Sequence, residues 1–157
     1  MAQPDERPIL AAVDFSADSE AALERAISVA SVTGTRLVVL HVVHDPAGSP
    51  GTYARKDEKG EQMRLEDAAA EMLDEHLSTF RERHPDLAGF GAIETHLVIG
   101  LPATRIVEVA DELDARQIVM GSRGLSGIDR LMHGSVAELV LQKSTIPVTV
   151  VKAASDS

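Results

Sequence analysis

GSRGLSGIDRLMHGS, residues 121–135, decides the reading of this chain. It spends Gly121, Gly124 and Gly127 on one loop and then sets Gly134 and Ser135 before the apolar stretch VAELVLQ. Upstream, ARQIVMG (115–121) is a short apolar run of strand type, and downstream IPVTVVKA (146–153) is another. A strand, a glycine loop, a helix and a strand in that order form one unit of a parallel α/β sheet.

Working outward, the same alternation recurs. RPILAAVDF (7–15) reads as a buried strand, and the helix after it carries Leu23, Ala26, Ile27 and Ala30 on one face. Ser16 is its expected cap and Gly34 its expected stop. TRLVVLHVV (35–43) is apolar throughout, as a strand covered on both faces should be. Residues 44–60 are rich in Pro, Gly and charge and read as a long mobile loop. A helix follows over 61–84, with Leu65, Ala69, Met72, Leu73, His76 and Phe80 on one face and charges on a solvated one. AIETHLVIG (92–100) reads as a strand. LPATRIVEVADELD (101–114) reads as a helix, with Pro102 in its first turn and Ile106, Val109, Ala110 and Leu113 buried. The expected fold is therefore α/β: one domain over residues 1–157, with an open five-stranded parallel sheet of Rossmann-like order 3-2-1-4-5 and helices on both faces. Such sheets bind ligands beyond the carboxyl ends of their strands, where the order reverses. If the order is 3-2-1-4-5, the first and fourth strands flank that point, and Asp14 and Gly121 end those two strands.

Composition narrows the function. The chain is 44% hydrophobic, which is enough for a globular core. No cysteine is present, so disulfides and thiolate metal sites are excluded. The formal net charge of −10 argues against nucleic acid or an anionic membrane as a partner. No apolar run reaches the ~18 residues of a membrane span, and the N-terminal MAQPDERPIL lacks the pattern of a signal peptide. A cytoplasmic protein is expected.

Glycines let backbone N–H groups approach an anion, and a helix start at Gly134-Ser135-Val136 would favour negative charge. Arg123, Arg130 and His133, against Asp129 alone, add local positive charge. The same features also serve a plain strand-to-helix corner, so spacing alone leaves phosphate binding and a tight turn both open. No lysine precedes Ser135, so this is not a Walker loop, and no G-x-G-x-x-G follows the first strand. The segment Asp14–Ser19 lacks the glycines of the S-G-G-x-D-S loop of ATP-pyrophosphatase-type ligases. His41, His44 and His96 lack ligand spacing and read as packing or surface residues.

Gly121-x2-Gly124-x9-Gly134-Ser135 resembles the nucleotide-binding motif of the universal stress protein family. ILAAVDFSADSEAAL, VVLHVV, IVMGSRG and GSVAELVLQKSTIPVTVV extend that resemblance over nearly the whole chain. The intact motif implies the ATP-binding branch. By position, the resemblance implies that Gly121, Gly124, Gly134, Ser135 and Val136 cradle phosphates and ribose, with Arg123 as a further candidate for phosphate. It implies that Val42 and Met120 meet the adenine, and that Asp14 and Ala12 close the pocket. For Asp14 the alternative is a cap on the first helix. The function implied is that of an ATP-binding stress-response protein acting as a conformational or partner switch, its protein partner unnamed, with Mg or Mn as a companion ion. The alternatives are a slow metal-dependent ATPase and an apo interaction module. The resemblance also implies a homodimer through the last strand, residues 147–152.

Overall fold

The computed structural model describes residues 5–44, 51–87, 93–122 and 135–154. Among the described residues, strands and helices alternate: β1 (Ile9–Ala12), α1 (Ala17–Thr33), β2 (Leu37–Val43), α2 (Leu65–Arg83), β3 (Ile93–Ile99), α3 (Pro102–Glu112), β4 (Gln117–Gly121), α4 (Val136–Lys143) and β5 (Val148–Val151). The strands form one parallel sheet of order β3-β2-β1-β4-β5. The expected architecture and order are both present.

Strand parity distributes the core. Ile9, Ala11 and Val13 point to one face, where they pack with Leu23, Ala26 and Ile27 of α1 and with Leu73 and Phe80 of α2. Leu10 and Ala12 point to the other face, toward Ile106, Val109 and Ala110 of α3 and Ala137 and Val140 of α4. Side chains alternate along a strand, so a central strand covered by helices on both faces must be apolar at every position. β1 and β2 meet that demand, being buried throughout.

Element ends have local causes. β1 begins at Ile9 because Pro8 has no N–H for the ladder, whereas the Ile9 N–H donates to the Arg36 carbonyl at 2.9 Å. Ser16 caps α1, accepting from the Ser19 N–H, and Gly34 closes it in the left-handed region at φ 67°. Helix α2 starts at Leu65, four residues later than the sequence reading. Residues before it are taken by an antiparallel bridge between Lys56 and Gln62 and by the Met63 N–H donating to Arg55.

In the segment 44–60, residues 45–50 lie outside the described residues. In the rest, Tyr53 is buried and packs with Val43, Ala68 and Ala69. Its hydroxyl meets His41 Nε2 at 2.9 Å. Tyr53 thus ties this part of the segment to β2 and α2.

Candidate functional site

The order reverses between β1 and β4, and a cleft of about 110 Å³ opens at their carboxyl ends. That is below the roughly 300–1,000 Å³ of pockets that bury a whole drug-sized ligand, so the cleft encloses only part of a nucleotide-sized one. Ala12, Asp14, Val42, Met120, Gly121 and Val136 all line it. Six of the residues named from sequence thus meet at one place. Parity explains the grouping: Ala12, Val42 and Met120 all belong to the face covered by α3 and α4. Arg123, Gly124 and Gly134 lie outside the described residues, as do Gly127, Arg130 and His133.

Ser135 stands at the edge of the cleft, next to Val136 and Ala137, which line it. Its Oγ accepts from the Glu138 N–H at 3.1 Å and so caps α4. The hydroxyl hydrogen remains able to donate outward. The helix-cap alternative for Asp14 does not hold, because Ser16 occupies that position. Asp14 Oδ1 instead accepts from the Ser16 N–H at 3.0 Å and from Ser16 Oγ at 2.5 Å, so it orients the cap. Its own N–H donates to Ser19 Oγ at 3.2 Å.

The turn holding Asp14 is strained. Phe15 has φ 70°, a left-handed conformation that costs a side-chain-bearing residue on the order of 1–3 kcal/mol. Its ring stacks on His41 at 4.4 Å and meets the edge of His76 at 5.1 Å. These contacts hold the turn in place. The carbonyl of Val13 can only accept, so the His41 Nδ1 at 2.7 Å from it carries the hydrogen, and Nε2 accepts from Tyr53. Burial pushes the pKa of His41 down, against the Val13 carbonyl, which pulls it up. The histidine expected as packing or surface is thus a buried brace behind the site.

The sequence does not mark Ser19 or Ser122 as site residues, although both line the cleft, and it marks Pro102 and Ile106 only as helix residues, although they form its apolar wall. Ser19 carries a weak signal, as the residue three after the cap. Ser122 carries none. The structure also gives Gly121 a reason of its own. A Cβ there would lie 2.7 Å from the Asp18 carbonyl carbon and 2.7 Å from the Ser19 nitrogen. Its missing side chain therefore makes room for the start of α1.

Chemically, the cleft sets apolar groups (Leu40, Val42, Ile106) beside Asp14, Ser19 and Ser122. Such a lining suits a flat apolar ring attached to a hydroxylated, polar remainder. No lysine or arginine is among its described lining residues. No helix among the described residues is long and apolar enough to cross a membrane.

Comparison with known proteins agrees with this geometry. A universal stress protein of Mycolicibacterium smegmatis is 34% identical over 145 residues, covering 92% of this chain and 45% of that protein. The chain spans about half the length of this and a second mycobacterial relative. Universal stress protein A homolog 1 of Coxiella burnetii is 32% identical, covering 91% of this chain and 94% of that one. Among solved structures, the universal stress protein of Archaeoglobus fulgidus in complex with dAMP is 28% identical. It superposes with a TM-score of 0.62 over 96% of this chain and 100% of that one. The model of the universal stress protein family matches residues 6–152, and the chain belongs to that family.

Proposed function

We propose that this protein binds an adenine nucleotide, ATP foremost, in the cleft between β1 and β4 and uses it as a regulatory state. The observation that carries this reading is the meeting of Ala12, Asp14, Val42, Met120, Gly121 and Val136 in one cleft at the switch point. The dAMP complex of the Archaeoglobus relative supports the ligand class. In this reading Val42 and Met120 meet the base, Ala12 and Asp14 close the nucleoside end, and the phosphates run toward residues 121–136. Ser135 and Arg123 donate to them, and Mg or Mn accompanies them. The setting proposed is the cytoplasm, with the protein paired to its own copy along β5 and responding through an unnamed partner.

Rapid hydrolysis is not part of the proposal. It would need a positive clamp on the transferred phosphoryl and an oriented water. Turnover with magnesium is expected well below the ~1–100 s⁻¹ of kinases.

Calorimetric titration of nucleotide-stripped protein with ATP tests the reading. Wild type should bind, and Gly124→Asp, which adds bulk and a like charge, should lose most of the affinity. Equal affinity in the two would reduce the glycine loop to a corner. No binding by the folded wild type would favour the apo interaction module.

A further inference from the structure

Asp18, in the first turn of α1, is a buried carboxylate that the cleft itself does not use. Its two oxygens accept from two segments far along the chain. Oδ2 accepts from Ser122 Oγ at 2.6 Å, and Oδ1 accepts from the Ala153 N–H at 2.8 Å. Ser122 lines the cleft and is the first residue after β4. Ala153 follows β5, the edge strand. The Ser122 N–H also donates to the Val151 carbonyl at 2.9 Å. The result is a closed ring: α1 start, glycine-loop start, end of β5, and back to α1.

Burying a carboxylate is costly unless it is fully hydrogen-bonded, and the start of a helix favours negative charge. A small apolar residue would fill this turn at no such cost. What a carboxylate adds is two acceptors, which reach partners 104 and 135 positions away in sequence at once. The contact is also stiff. Gly121 lets the Asp18 backbone approach so closely that no Cβ would fit between them. A ligand that moves Gly121 and Ser122 must therefore move Asp18 or break its bond.

We propose that Asp18 is a positioning residue that couples occupancy of the cleft to the segment after β5, the edge at which another chain would pair. This rests on the nucleotide reading of the cleft. Coupling between two sites is reciprocal and commonly amounts to fivefold or more.

The test combines hydrogen exchange of the segment 148–154 with ATP calorimetry on the full chain. In wild type, ATP should slow exchange at 152–154 by about fivefold or more. In Asp18→Ala that response should vanish, and in Asp18→Asn it should return, since an amide accepts from Ala153 and donates to Ser122 Oγ. Ala153→Pro removes the donor at the remote end, fixing φ there as well, and keeps the test alive should Asp18→Ala not fold. By reciprocity it should weaken ATP binding about fivefold or more, although Ala153 does not line the cleft. Binding of ATP by wild type without any change in exchange, or an equal change in Asp18→Ala, overturns the coupling alone. Unchanged ATP affinity in Ala153→Pro does the same. No ATP binding by wild type overturns the nucleotide reading and the coupling together.

Discussion

A methyl group at position 121 would sit 2.7 Å from the backbone of Asp18 and of Ser19. No flexible side-chain tip is available to yield, so α1 or β4 must shift. Gly121→Ala should therefore cost about 1–3 kcal/mol of stability, the usual range for overpacking, even with no nucleotide present. Urea unfolding of the stripped protein checks this, and an unchanged midpoint would return Gly121 to a purely ligand-facing role. His41 carries a different prediction. Burial lowers its pKa, and that of His76, below the ordinary 6.5. In the window from 6.5 down to those lowered values, the unfolded chain holds more protons than the native one. Stability must then rise with pH across the window and fall as pH drops through it. His41→Asn keeps a donor for the Val13 carbonyl but cannot titrate. It should be less stable near neutral pH, yet lose less than wild type does between about pH 7 and about pH 5.5. Equal losses in urea unfolding at the two pH values would show that His41 does not drive the acid dependence.

At the scale of elements, the two serine caps carry different loads. Ser16 holds α1 and is itself held by Asp14 Oδ1. Ser135 holds α4, a helix of only eight residues, beside the cleft. Each cap changed to alanine should cost about 1 kcal/mol. Ser135→Ala should also weaken ATP binding, whereas Ser16→Ala should act on ATP only through Asp14. Thermal unfolding with and without ATP separates the two, and an equal ATP-induced shift in Ser135→Ala and wild type would remove Ser135 from the phosphates. The α1 caps and the helix stripes were legible in the sequence because each is local or periodic, whereas the strand order is neither and came from the fold class that the alternation suggests. Ser16 and Gly34 flank one helix, and Leu23, Ala26, Ile27 and Ala30 repeat on its buried face. The cleft residues of β1, β2 and β4 were legible through a motif and its resemblance. The rest was hidden because it is neither local nor periodic. Tyr53 is one aromatic in a stretch of proline, glycine and charge, and nothing in its neighbours announces His41. Ser122 and Asp18 lie 104 positions apart, so their bond exists only once the sheet has formed.

At the scale of the molecule, the sheet has two edges with unlike surfaces. β3 carries Glu94, with Arg36 of the neighbouring loop paired to it, and then Thr95 and His96. β5 is Val-Thr-Val-Val, with no charge until Lys152. Edge strands avoid adding further strands by carrying charge, and β5 does not. Pairing of β5 with its own copy across a two-fold axis would close the assembly and leave that edge covered. Such an axis pairs residue i with j and j with i; in a strand of 4 residues Val150 lies near the axis, so Val150→Lys, at a position 37% exposed, would bring two like charges close together. The overall charge argues the other way. Adding a positive group to a chain of net charge −10 reduces repulsion between two whole molecules. Loss of association in Val150→Lys would thus have to come from the strand edge. Sedimentation at micromolar concentration should show a dimer mass for wild type and a monomer mass for Val150→Lys, with unchanged thermal unfolding when both are diluted to monomer. A wild type that sediments as a monomer would leave β5 to a different partner, and a variant that remains dimeric would move the interface to another surface.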